Sequence, residues 1–459
     1  MSTTIEIEDV QSLVFSAHSR LPASLLVGLT IRDPAEARLR LADLAASTLA
    51  FGFGDRSRTH ATQLLLTAGG IVALGGSEPD LAGFSRQFRQ GMVAPQRSRA
   101  LGDAGPSEPA GWEWSDAELH AVVVVYAKDN ATAAGAVEEN IAQLAPGLSA
   151  TLRFPLSLPD DGREPFGFAD GISVTRVDLG DGRPVEPGVA MLPPGEVVLG
   201  YQNADGLTRP PPPLAENGTF VVLRQFEQNV RAFWDYWRRQ AKDDQEAVWL
   251  ASKALGRWPN GMPIDGVAPM PEPPFDEAVA RAPFQFHADS RGRKCPFGAH
   301  VRRANPRDGL VDDPAASLSI VSHHRMIRRG RVYGLPPPHA WYPEAIRRAK
   351  KETPPPDIAG SRGLMFVCLC ADIARQFEFI QQTWLNNPKF SDLYDEVDPI
   401  AAGHAIPADS HRFSIPRPPL RCRLSGVTRW VHVRGGGYFL MPGKRALLRF
   451  LGGDRGEAA

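Results

Sequence analysis

Cysteine is scarce in this chain, four in 459 residues, and so few cannot form the disulfide framework of a small secreted scaffold. Cys368 and Cys370 sit two apart in an apolar run, so on a strand they share a face, a poor geometry for bridging each other. A reducing compartment suits that composition. Net charge is also missing: at a formal −1, no global field draws the protein to nucleic acid or an anionic membrane. No uninterrupted apolar run approaches the roughly 18 residues of a membrane span. The opening MSTTIEIEDVQSLVF has no basic n-region, twin arginine or apolar h-region. The expectation is a cytoplasmic protein with neither nucleic acid nor membrane as partner. Heptads, short-period repeats, a nucleophile elbow and a phosphate-binding glycine loop are absent too, and GGGYF at 435–439 lacks the spacing of a dinucleotide motif.

What is present is one kind of unit, repeated. The β-branched run HAVVVVYA (120–127) reads as a buried strand, and 131–144 follows with helical spacing. TFVVLRQF then EQNVRAFWDYWRRQA (219–241) does the same, with Val230, Phe233, Trp234 and Trp237 on one helix face. LMFVCLC into ADIARQFEFIQQTW (364–384) does it again. A weaker copy opens with VQSLVF (10–15), and 61–74 supplies helix-like apolar material. Recurring strand-to-helix units with hairpin material between them imply α+β layers, not one doubly wound sheet. The proline-rich stretches 210–213, 259–274 and 336–356 read as long surface or functional loops.

Three short stretches carry the chemistry. CPFGAHVRRANPR (295–307) sets His300 against apolar neighbours and follows it with Arg302, Arg303 and Arg307. An imidazole that ligates a metal needs a dry pocket, and arginines nearby suit a ligand with carboxylates. The bare pattern is equally that of a packed histidine beside a solvated basic turn. The other two are GFADGIS (167–173), by itself an ordinary turn, and MIRRGRVYG (326–334).

Together these stretches resemble the dye-decolorizing (DyP-type) haem peroxidases, in their longer bacterial-type members. The likeness extends through FSRQFRQGM, LGD, GEVVLGYQN, NGTFVVLRQFEQNV, GRWPNG and VRGGGYFLMP, in the order such members show. The resemblance implies two ferredoxin-like halves with antiparallel sheets and peripheral helices, a dimeric α+β barrel-like fold. We place the boundary at 158/159, with the haem pocket in 159–459. It implies one haem b per chain with His300 as iron ligand, Asp170 as the distal acid–base and Arg328 as the distal cation. Arg307 falls where the family places an arginine near a propionate. Arg302 and Arg303 read as outward solvated charges, and Arg329 as a surface or loop residue.

Several roles follow from chemistry applied to that frame. The second ring nitrogen of His300 needs an acceptor, and Glu378, with Asp372 behind it, is the candidate, although Glu378 reads equally as an exposed helix charge paired with Arg375. Leu364 and Phe366 alternate on a strand and would wall the distal pocket. Cys295 precedes a proline and reads as a small buried hydrophobe, not a rival thiolate ligand. His323 and His324 read as exposed loop histidines. The implied reaction reduces hydrogen peroxide and oxidises dyes, phenolics or similar small aromatic donors, some through Trp384 or Tyr333, and a homo-oligomer is compatible with it. An ordinary aspartate titrates near about 3.9, so Asp170 as base implies an acidic optimum. A haem carrier or deferrochelatase-like protein is the alternative, and a hydrolase using Asp170 with His300 or His324 a more distant one. VTRV after GFADGIS departs from the family's glutamine–proline pair and puts the seat of the Asp170 loop in question.

Overall fold

The computed structural model describes residues 4–54, 57–181, 185, 189–264, 270, 284–346, 360–404 and 411–452. Strands β1 (Ala23–Ile31), β2 (His60–Leu66), β3 (Ala121–Ala127), β4 (Leu148–Ser157), β5 (Thr219–Gln228), β6 (Ile327–Arg328), β7 (Arg331–Tyr333), β8 (Gly363–Cys370) and β9 (Val431–Met441) join a short strand at Trp114–Ser115 in one ten-stranded sheet. In the first half the order β4-β1-β3-β2 is that of a ferredoxin-like unit, with α1 (Pro34–Ser47) after β1 and α2 (Asn130–Leu144) after β3. In the second half β9, β5 and β8 pair antiparallel in that order, and short β6 and β7 line the far side of β8. The halves meet at two edges, each through a single residue pair, Leu66 with Leu440 and Ser157 with Val332. The sheet thereby closes on itself.

Closure explains why the central strands read as unbroken apolar runs: both faces are covered. Leu26, Leu65, Val122, Val124, Leu223, Met365 and Val367 fill the inside, while Val27, Leu64, Val123, Val125, Val222 and Cys368 face the outer layer. Asp33 caps α1 through Ala35 N and Glu36 N with Pro34 in the first turn, and Asp129 caps α2 through Thr132 N. Helices α3 (Val230–Gln240) and α4 (Asp244–Leu255) stand apart, on a cluster of Phe166, Phe168, Phe233, Trp234, Trp237 and Trp430. Rings in that cluster meet edge-on or stacked at 4.3–6.4 Å, which fixes the chain on either side of it.

The expected strand-and-helix units at 120–144, 219–241 and 364–384 are all present, the last continuing through π-helical turns at Ala374–Glu378 and Ile380–Leu385. Two expectations fail. VQSLVF is a tight turn (Ser12–Val14), because Gln11 binds β2 through its side chain, donating to Leu64 O at 3.1 Å and accepting from Leu64 N at 2.9 Å. The apolar stretch 61–74 is β2 followed by a short helix, Ala68–Ala73, since a strand buried on both faces has no periodicity to tell it from a buried helix. Much of the proline-rich stretches 259–274 and 336–356 lies outside the described residues. No helix among the described residues is long and apolar enough to cross a membrane.

Candidate functional site: a histidine, a buried carboxylate and an arginine cluster

His300 opens α5 (His300–Ala304), a helix whose first turn follows the CPFGA segment. Its Nδ1 lies 3.0 and 3.2 Å from the two oxygens of Asp398. Asp398 is fully buried, and its Oδ1 also accepts from Ile400 N at 2.9 Å and Ala401 N at 2.6 Å. Burial pushes this carboxyl up, but the His300 imidazole, the hydrogen bonds from His300 and Ala401, and Arg303 outweigh it and hold it below the ordinary range. With Nδ1 engaged, Nε2 is the nitrogen left for a metal.

The carboxylate against His300 is therefore Asp398 and not Glu378. Glu378 is indeed buried, but it accepts from Arg97 Nη1 at 2.6 Å and from the Tyr438 hydroxyl at 2.8 Å. Asp372 lies beside Arg375, whose backbone N donates to it at 3.0 Å, and Arg375 itself pairs with the buried Glu196 at 2.7 Å. Nor are Arg302 and Arg303 outward charges. Both are buried, because loops wrap the short helix and present carbonyl oxygens to them. Arg303 donates to Trp384 O, Glu396 O and Asn387 O, clasping the segment that ends in Asp398. Arg302 donates to Cys295 O at 2.8 Å and Asp289 Oδ2 at 3.3 Å, fixing the turn before His300. Cys295 is a buried thiol, its pKa pushed up to about 12 chiefly by burial.

Asp170 lies on the exposed tip of a loop whose base is fastened: Asp170 N donates to Gly162 O at 2.9 Å and Ala169 N to Pro259 O at 2.9 Å. Arg328 is in register with Cys368 across β6 and β8, so it projects on the face that Cys368 shares with Leu364 and Phe366. Both of those apolar side chains are half-buried, and Phe366 contacts Phe226 and Phe377. Arg329 is a half-buried loop residue, as expected. It turns to the opposite side and donates to Leu13 O and Val14 O, each at 2.9 Å, at the closed end of the sheet. His323 pairs with Asp205 at 3.0 Å and His324 stacks on Phe379 with centroids 3.8 Å apart, so neither is a free loop histidine. Trp384 and Tyr333 are both buried.

Arg307 joins these parts. Its Nη2 reaches Ser173 Oγ, on the Asp170 loop, at 3.4 Å, and among the described residues no carboxylate pairs with it. Burial first, and then the positive charges of Arg325, Arg257 and Arg328, push it down to about 10 against a smaller opposing pull from Asp308. Arg325 is half-buried, its Nε is buried without a hydrogen-bond partner, and no carboxylate pairs with it among the described residues. Such a cluster of desolvated guanidinium groups is completed by an anion. One imidazole held by a buried carboxylate beside under-compensated arginines is the donor set of a haem with its two propionates, so the residues fit that cofactor. Sequence reading missed Asp398, Arg325 and the clasp by Arg303. The only local signal was DPIA (398–401), an aspartate capping its own turn.

No family model matches the chain. Among characterised proteins it is 31% identical over 423 residues to Peroxidase 2 of Mycetinis scorodonius, covering 85% of this chain and 76% of that protein. It is 28% identical to the multifunctional dye peroxidase DyP2 of Amycolatopsis sp., covering 97% and 96%. It is 31% identical to the dye-decolorizing peroxidase msp1 of Mycetinis scorodonius over 62% of this chain, which spans only 56% of that relative. A solved structure of an ancestral D-type dye-decolorizing peroxidase superposes with a TM-score of 0.81 at 26% identity, covering 97% and 98% of the two chains. One of a dye-decolorizing peroxidase in complex with 2,6-dimethoxyphenol, at 24% identity, shares the fold with a TM-score of 0.80 over 98% and 100%. On its fold and its relatives alike, the chain belongs to the dye-decolorizing (DyP-type) family of haem peroxidases.

Proposed function

We propose that this chain is a peroxidase that binds haem b on His300, reduces hydrogen peroxide and oxidises dyes, phenolics or similar small one-electron donors. The observation that carries the reading is the His300–Asp398 pair. It fixes the imidazole tautomer, leaves Nε2 for iron and raises the basicity of the ligand. Arg307 and Arg325, lacking carboxylate partners among the described residues, would hold the propionates. The haem, when bound, supplies the electron chemistry.

The chain's own residues handle protons and charge. Asp170, short and on a fastened loop, takes the first proton of peroxide at its carboxylate and returns it to the leaving oxygen. Arg328 offers its fork of donors to the separating oxygens. Leu364 and Phe366, on the same sheet face as Arg328, exclude water from that side. The phenol bound in the related solved structure is of the donor class we assign here. The four cysteines are free thiols, which supports a cytoplasmic setting.

The test is the visible spectrum of the haem-loaded protein before and after one equivalent of peroxide, with Asp170→Asn and Arg328→Leu beside it. A histidine-ligated Soret band that changes within seconds in the parent and recovers with a phenolic donor is expected. Slowing by about 100-fold or more in at least one variant should accompany it. A Soret band unmoved by peroxide would instead leave a haem carrier.

A further inference from the structure

We propose that Glu164 is the positioning residue for Asp170, a half-buried carboxylate around which the loop bearing the distal acid–base is folded. The inference rests on the reading of Asp170 given above. Glu164 Oε2 accepts from Phe166 N at 2.9 Å and from Gln228 Nε2 at 2.7 Å, and Oε1 accepts from Phe168 N at 3.0 Å. The backbone closes on the same residue: Glu164 N donates to Phe168 O at 2.9 Å and Gly167 N to Glu164 O at 2.8 Å. Residues 164–168 are thus a ring around one carboxylate.

Phe166 and Phe168 alternate outward from that ring into the aromatic cluster on α3, Phe166 stacked on Phe233 at 4.3 Å and Phe168 parallel to Trp234 at 6.1 Å. Trp234 Nε1 donates to Phe166 O at 3.0 Å and the Tyr342 hydroxyl to Pro165 O at 2.6 Å. Asp170, two residues beyond the ring, inherits its place from it. Burial, reinforced by the charge of Asp170, outweighs the three donors and holds the Glu164 carboxyl above the ordinary range. All three donors point at its two oxygens, so the loop is folded around an acceptor at both positions. A glutamine has the same shape but one acceptor oxygen, so Phe166 N or Phe168 N would meet an amide NH2 and the ring would open.

The experiment compares haem-loaded parent, Glu164→Gln, Asp170→Asn and the double variant. Three quantities are read: the rate constant for the peroxide-induced Soret change, the cyanide Kd from the Soret shift, and the KM for a phenolic donor. We expect Glu164→Gln to slow the peroxide step on the order of tenfold to a hundredfold, to weaken cyanide binding in proportion and to leave the donor KM unchanged. In the Asp170→Asn background it should add nothing further, because it acts only through Asp170. An additive loss in the double variant, or parent-like rates and cyanide affinity in Glu164→Gln, overturns the inference. Should Asp170→Asn itself leave the peroxide step unchanged, the reading of Asp170 fails and this inference with it. If Glu164→Gln does not fold, Gln228→Leu removes one donor to Glu164 and leaves the ring's backbone bonds. A smaller drop of the same kind, again lost in the Asp170→Asn background, supports the proposal, and no drop refutes it.

Discussion

Replacing Asp398 by Asn probes the proximal side most directly. The native carboxylate receives His300 Nδ1 on both oxygens and the N–H groups of Ile400 and Ala401 on Oδ1. Asparagine fills the same volume with a single acceptor oxygen. If that oxygen keeps Ile400 N and Ala401 N, its NH2 faces Nδ1. The imidazole proton must then sit on Nε2, the nitrogen that iron needs. If the oxygen turns to His300 instead, two N–H groups at the site of a fully buried side chain lose their acceptor, at about 1–3 kcal/mol each. The first outcome is cheaper for the fold and worse for the cofactor. Loss of such an outer partner typically weakens metal binding 10- to 100-fold, about 1.4–2.8 kcal/mol. Titrating apo protein with haemin at the Soret band measures that loss, and spectroelectrochemistry should show the ferric/ferrous midpoint moving positive as the imidazole becomes less basic. Unchanged affinity together with an unchanged midpoint, in a variant that melts like the parent, would refute the assignment of Asp398.

Three more outcomes follow from the same contacts. Arg303→Lys replaces a planar fork serving three carbonyls with a point charge, so stability should fall by about 2–4 kcal/mol in chemical denaturation, and haem affinity should fall with it because the clasped segment ends at Asp398. Arg329→Ala should slow the peroxide-induced spectral change without altering the ferric Soret maximum, since it unties the Arg328 turn from Leu13 and Val14 but touches nothing on the His300 side. Asp116 is buried, accepting from Met92 N and Tyr438 N, and burial, against those bonds, raises its pKa from 3.8 to about 6. The folded state then binds this proton more tightly than the unfolded chain, so the contribution is full below about 3.9 and stability declines as pH rises to about 6. The effect is on the order of 3 kcal/mol. Asp116→Asn should flatten the melting temperature across that window, and an undiminished slope would count against the assignment.

His300, Asp170, Arg328 and Arg307 could be named as candidates because each lies in a contiguous, recognisable stretch of sequence. Asp398 was not, lying 98 residues beyond His300 in a segment that reads only as a turn. The phenylalanines around Glu378 correctly implied burial, yet burial names no partner, and Arg97 and Tyr438 come from elsewhere in the chain. Arg302 and Arg303 misled for a related reason. Adjacent arginines read as solvated by default, whereas their partners are mostly backbone carbonyls of wrapping loops, which leave no mark in a pattern of side chains. In the fold, strands buried on both faces lost the alternation that would have told β2 from a helix.

The two faces of the proposed pocket are built on different principles, and the difference bears on peroxidase against carrier. His300 is held by loops, through Asp398 and the carbonyl clasp of Arg303, a construction that on the proposed reading retains haem and tunes its ligand. Arg328, by contrast, has its place set by strand register with Cys368 and by the tie from Arg329 to the closed end of the sheet. Asp170 has its place set by backbone bonds to Gly162 and by the ring around Glu164. A carrier has no use for a proton-transferring carboxylate and a cation on the open side, since polar groups there add little to affinity and hinder release. On the proposed reading, variants at Asp170 or Arg328 should therefore keep haem at parent affinity while losing the response to peroxide. Weakened haem retention in those variants, with the peroxide response of the bound fraction intact, would assign the distal pair to binding and favour the carrier.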